Sequence, residues 1–263
     1  MNSYARLGHT RTAIAGAGAT STDDATILRW QLAASREIEK HLAGRHFYTK
    51  TATMYFDGDG PILYLPPPLD LLEITTLNVD ADGDGVYETT VTDYWLIPTN
   101  GTPKSCIELK SGSFPSLRNA VEIVGKWGYS DESEVTGLTG AVADGTSTTL
   151  TASADATDLI YAGDTLLIED EQIYVTEVNA ATLTVTRGVN GTTATAHAAV
   201  AISVRTYPQD IMTACVVRAA DLFRGAHTGF SGQVSGGEFG GFSSNTAYAQ
   251  FMGLIRNYKR VTF

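Results

Sequence analysis

The sequence predicts an α+β protein: a helical core carrying short antiparallel strands and hairpins, with a small all-β domain inserted into it. Three observations predict it. Residues 21–44 have the spacing of one amphipathic helix, residues 51–127 break into short alternating runs separated by turn residues, and the composition changes abruptly between 131 and 206.

Residues 1–20, MNSYARLGHTRTAIAGAGAT, hold an apolar stretch too short and too broken for a signal peptide and read as a flexible N-terminal arm. In STDDATILRWQLAASREIEKHLAGRHF, Ser21 or Thr22 can cap a helix, Asp23 and Asp24 suit the positive end of its dipole, and Gly44 suits its stop. Ile27, Leu28, Leu32, Ile38 and Leu42 form its apolar stripe, with Arg36, Glu37, Glu39 and Lys40 largely off it. Strands follow near 51–56, 62–65, 73–79, 86–90, 94–97, 106–109 and 120–127. LPPPLD at 65–70 is a rigid connection, because proline lacks the donor that a central strand needs.

VDADGDGVYE at 79–88 admits two readings. Asp80, Asp82 and Asp84 with Gly85 match the first half of a calcium loop, in which hard oxygen ligands surround the ion. The closing glutamate is missing: its position carries Val91, and Glu88 falls three residues short. Asp-Gly between β-branched runs is also a hairpin signal, since glycine supplies the positive φ of the turn. A similar DGDG recurs at 57–60, which favours turn chemistry over metal chemistry.

From 134 to 204 the chain is rich in threonine, alanine and glycine, and Arg187 is its one basic residue. TLLIEDEQIYVTEV reads as a hairpin and ATLTVTRG as a third strand, so 131–206 is expected to fold as a separate β-domain. Asp164, Glu169, Asp170 and Glu171 crowd that hairpin and read as a solvated turn, because neighbouring strand positions face opposite sides. Helical spacing returns over 207–225, with Pro208 in the first turn and Ile211, Cys215, Ala219 and Leu222 on one face. Residues 226–244, which include Phe230, Phe239 and Phe242, form a glycine- and serine-rich tether. The segment 245–263 is a short helix with Tyr248, Phe251, Met252, Leu254 and Ile255 on a wide apolar face. It is either a docking element or a helix that packs back on its own core.

The 29 acidic against 18 basic residues, a net charge of −11, argue against a nucleic-acid-binding surface. Cys106 and Cys215 lie in apolar or mixed surroundings and read as buried hydrophobes, not as a disulfide or metal pair. No run reaches the length of a membrane span, and the expectation is a soluble intracellular chain. There is no G-x-S-x-G elbow, H-E-x-x-H or phosphate loop, and His9, His41, His46, His197 and His227 lack ligand spacing. Neither an enzyme nor a cofactor is expected.

With 131–206 set aside, the remaining motifs fall into an order: G-R-x-F after the first helix (Gly44, Arg45, Phe47), an I-x-x-L-x-V strand into D-G-D-G, D-Y-W-L-x-P with Asp93 and Tyr94, and G-x-W-G-Y with Trp127 and Gly128 leading to the helix begun by Pro208. Over about 23–130 and 207–225 the chain resembles the head–tail connector (adaptor, neck) proteins of tailed bacteriophages. It departs from them in the inserted segment. That segment is similar to small β-modules of phage structural proteins, in Gly163-Asp164 to Glu171 and then Thr186-Arg187-Gly188 to His197.

The resemblance implies a structural virion protein with a helical connector core. It implies a homo-oligomeric ring, commonly twelvefold, docked on the portal protein and joined to a stopper or tail-completion protein at the neck. Genome DNA would pass through the lumen during packaging and ejection without sequence-specific binding. The chain would be made in the host bacterial cytoplasm and meet no membrane. Tyr248, Phe251, Met252, Leu254, Ile255 and Tyr258 become the candidate portal-docking residues. A second class of function stays open: a carbohydrate- or host-surface-binding module acting through the inserted β-domain.

Overall fold

A computed structural model of the chain describes residues 2–14, 23–227 and 244–260. Its first strands are β1 (Lys50–Phe56), β2 (Ile62–Tyr64), β3 (Leu71–Val79), β4 (Thr89–Thr90), β5 (Tyr94–Ile97), β6 (Cys106–Leu109) and β7 (Val121–Trp127). Then come β8 (Ser133–Val142), β9 (Thr149–Ala152), β10 (Thr165–Ile168), β11 (Glu171–Asn179), β12 (Thr182–Thr186) and β13 (His197–Arg205). The α-helices among the described residues are α1 (Leu7–Ile14), α2 (Asp24–His41), α3 (Gln209–His227) and α4 (Ser244–Ile255).

The architecture is therefore mostly β, which corrects the expected helical core carrying hairpins. The strands expected between 51 and 127 occur close to their predicted places, with β3 longer than 73–79 and β4 only two residues of 86–90, but they do not serve as trim on helices. They bury their apolar alternation against one another, in two sheets with a core of their own. The chain divides into two compact units. One comprises Met1–Leu42, Glu132–Val189 and Thr193–Val261; the other is chiefly Ala43–Asp131 with Asn190–Thr192.

The second of these is a β unit. Its four-stranded sheet runs β1-β7-β3-β4 and its three-stranded sheet β2-β6-β5. In β7 the alternation is complete: Val121, Ile123 and Trp127 face inward, and Glu122 and Lys126 face out. Phe56, Leu77, Ile107 and Phe114 complete an aromatic-rich core.

The other unit holds a closed barrel, in the order β10-β11-β12-β9-β8-β13, and all four helices. The pairs Leu166↔Val204 and Leu167↔Ser203 close the barrel, which removes the unpaired edges of an open sheet. Its core is aliphatic, with Leu150, Leu166, Ile168, Ile173, Val175 and Ile202 fully buried. β8 and β13 lie outside the sequence expectation: register shifts at His197/Val200 and Ala201/Ser203 break their alternation.

The helices form a second apolar cluster from Leu7, Ile14, Ile27, Ala220 and Phe223. Residues 2–14 are packed here and do not hang free as an arm. The reason lies in α2, whose buried face carries the polar side chains of Gln31, Ser35 and Glu39. Buried polar groups need partners. Thr10 accepts a bond from Gln31 Nε2 at 2.6 Å, while Tyr4 donates its N–H to Ser35 Oγ at 3.0 Å and its hydroxyl to Glu39 at 2.5 Å. The expected caps Ser21 and Thr22, and the tether over 228–243, lie outside the described residues. No helix among the described residues is long and apolar enough to cross a membrane.

Candidate functional site

The motif residues collect at two buried ionic corners, one in each unit. In the β unit, Gly44 stands at φ +90°, a conformation suited to glycine, and turns the chain after α2. The next residue, Arg45, is thereby aimed inward. Its Nε and Nη2 donate to Asp70 at 2.5 and 3.0 Å, in a pair whose side chains are 9% and 2% exposed. Tyr129 covers the guanidinium at 4.6 Å, and Phe47 stacks on Tyr129 at 5.2 Å. Backbone bonds tie the corner: Gly128 N donates to Asp70 O, and Tyr129 N to His46 O. Trp127 closes it from the core side, its Nε1 donating to Ala52 O at 3.0 Å. At Gly128 a Cβ would overlap the carbonyl of Tyr48, so only glycine lets the strands come this close.

A small cleft of about 60 Å³ opens beside the corner, lined in part by His46, Lys50, Met54 and Pro68. G-R-x-F, LPPPLD and G-x-W-G-Y thus meet at one point. The bidentate geometry and the stacked ring hold chain segments together.

In the barrel, Glu171 plays the part that Asp70 plays above. Its side chain is 1% exposed, and it accepts from Arg187 Nε at 2.7 Å and Nη2 at 2.6 Å. Gly188 N and Thr195 N also donate to it, at 2.9 and 3.2 Å, and His197 Nε2 lies 2.7 Å away. Burial pushes the Glu171 carboxyl up. The Arg187 and His197 bonds and the two N–H donors outweigh it and lower its pKa to about 2. His197 Nδ1 faces Glu169 at 2.8 Å. Thr195 Oγ1 lies 3.5 Å from Nε2, so hydroxyl, imidazole and carboxylate stand in the order of a nucleophile with its base. Glu171 occupies the position at Nε2 from which that base would work. The cluster clasps the barrel.

The expectation of a solvated turn fails for Asp164 and Glu171, which are buried, and holds for Glu169 and Asp170, which are exposed. Glu171 opens β11, whose first five residues are all buried, and Arg187 meets it from β12's end.

Asp80, Asp82 and Asp84 lie in the loop between the paired strands β3 and β4, as the hairpin reading predicts. Their carboxylate oxygens come within 4.8 Å of one another, yet they are engaged by the turn. Asp80 is buried and accepts from Gly83 N at 2.7 Å and Gly85 N at 2.8 Å; Asp84 accepts from Val86 N. Burial pushes the Asp80 carboxyl up, and these N–H donors more than reverse it, so it titrates below the ordinary range.

The remaining candidates lie apart. Asp93 pairs with Lys110 on the surface at 2.5 Å, and Tyr94 packs on the β-unit core. Pro208 opens α3, its carbonyl accepting from Met212 N at 3.0 Å. Both cysteines are buried, and burial pushes the Cys215 thiol up to about 11. On α4, Phe251 and Ile255 are buried within the unit, while Tyr248 stands beside His41 and under Arg218. Met252, Leu254 and Tyr258 are half-buried.

No family model and no curated protein matches the chain. Among solved structures it is similar to a chain in the neck of an empty GTA particle computed with C6 symmetry. The identity is 15% and the TM-score 0.45, over 99% of this chain and 91% of that one.

Proposed function

We propose that this chain is a structural protein of a tailed-phage-like particle, seated in the neck as a head–tail connector, with no reaction of its own. The observation that carries the reading is the convergence of the connector-like motifs. Gly44, Arg45 and Phe47 stand in one stretch of the sequence and Trp127 and Gly128 in a distant one, and both gather around the Arg45–Asp70 pair. The D-G-D-G hairpin and the proline-started α3 keep the same order. In this reading copies of the chain form a ring between portal and stopper. Genome DNA passes through its lumen, where the net charge of −11 avoids holding phosphates. Portal contact falls to the residues of α4 and the turn after it that keep some exposure, Tyr248, Met252, Leu254 and Tyr258.

The test is immunogold microscopy of purified particles, with one antibody to 135–205 and one to 23–130. Label at the junction of head and tail is the expected result. Label confined to the tail tip would transfer the role to host-surface binding. Particles unmarked by both antibodies, when both recognise the denatured chain, would remove the virion reading.

A further inference from the structure

Residues 2–6 run between the barrel and the helices and bond to both. Toward the helices, Tyr4 is fully buried, donates to Ser35 and Glu39, and meets Tyr207 edge-on at 4.9 Å. Arg36 donates to the carbonyl of Asn2 at 3.0 Å. Toward the barrel, Thr165 donates to Asn2 Oδ1 at 2.9 Å, and Arg6 pairs with Asp164 at 3.1 Å and also donates to the carbonyl of Leu159. Arg6 lies over the Tyr161 ring at 5.2 Å, and a Cβ at Gly8 would come 2.8 Å from that ring. Asp164 is 3% exposed, and without Arg6 it would be a buried carboxylate left with the Tyr161 N–H and the nearby His9.

The barrel and the helices each have an apolar cluster of their own, and no barrel strand packs broadly along a helix among the described residues. Apart from the N-terminal residues, Tyr161 of a barrel loop reaches the helical cluster, Leu28 of α2 lies against Gly163 of that loop, and β13 runs into α3 through Thr206–Pro208. Leu7 and Gly8 open α1, and Leu7 packs in the helical cluster. The contacts that residues 2–6 make to the barrel and to α2 are mostly polar, through Asn2, Tyr4 and Arg6, hence directional and exchangeable for water. We infer that residues 2–6 are a strap that fastens the barrel to the helices and can be released without unfolding either.

The test compares the full chain with Tyr4→Ala/Arg6→Ala by residue-resolved hydrogen exchange. Exchange over 159–165 is expected to rise about tenfold, while β11, β12, α2 and α3 keep their protection. Adding Asn2→Cys and Thr165→Cys to that variant and oxidising the pair should restore the slow exchange. Spin labels at Arg29→Cys and Thr184→Cys should give a narrow distance distribution in the parent and a broad one in the released variant. Unchanged exchange at 159–165 would show that the strap fastens nothing. Loss of protection throughout the unit, or failure to fold, would show that residues 2–6 belong to one cooperative core, and either result overturns the inference.

Discussion

The barrel and the two-sheet β unit reach closure by opposite means. The barrel closes its sheet on itself, fills it with aliphatic side chains, and locks the ends of its strands with Glu171. The β unit leaves its sheets open, fills the space between them with Phe56, Phe114 and Trp127, and locks a corner with Asp70. In both, an arginine that follows a turn or strand end clamps a buried carboxylate. In both, the motif that draws the eye in the sequence is that clamp. The difference teaches what the clamps are for: an open sandwich needs its chain entry pinned, whereas a barrel needs its last turn pinned across the mouth.

The largest test of that comparison removes each arginine. Arg187→Ala and Arg45→Ala should each cost about 3–5 kcal/mol, because each takes the guanidinium from a buried carboxylate. Chemical denaturation measures the loss, and hydrogen exchange should confine it to the barrel or the β unit respectively. A loss below about 1 kcal/mol in either would reduce that clamp to an ordinary surface pair.

Acid should separate the two regions next. The Glu171 pKa is about 2 in the fold, against 4.5 for an ordinary glutamate. A depressed carboxylate adds stability that is complete above pH 4.5 and disappears as the pH falls through 2. Barrel protection measured from pH 5 to 2 should therefore fall, and Glu171→Gln should show a lower and flatter profile. A variant with the parent's slope would assign the acid loss to other groups.

Packing gives a smaller effect. Ile173→Val in the aliphatic barrel should cost about 1 kcal/mol by thermal denaturation, the usual price of one buried methylene. The smallest change is Tyr64→Ser, at a side chain 71% exposed on the outer face of β2. Its effect on stability should stay within about 0.5 kcal/mol. A larger loss would mean that the outer face of the three-stranded sheet supports the fold as well as its inner one.

Much of the local structure is legible in the residues. The strands between 50 and 127 are written in alternation and Asp-Gly turns, and α2 and α3 in helical spacing, because these signals act over a few neighbours. α1 is too short for such a signal, and β8, which contains glycine, and β13, whose register shifts, blur theirs. The expected helical core does not occur because periodicity shows that a face is apolar and leaves open which element covers it. Glu171 shows the same limit at one site: its neighbours mark a turn, and only Arg187 and His197, 16 and 26 residues away, make it a clasp.

The residues alone settle the strands between 50 and 127, the helices α2 and α3, the turn at Asp80–Gly85 and the order of the motifs. Tertiary structure alone decided that β10 pairs with β13 to close a barrel, that Arg45 finds Asp70, and that residues 2–6 run buried between barrel and helices. Those outcomes turn on contacts between residues far apart in the chain, where burying a charge or an apolar face selects its partner and local propensity has no influence.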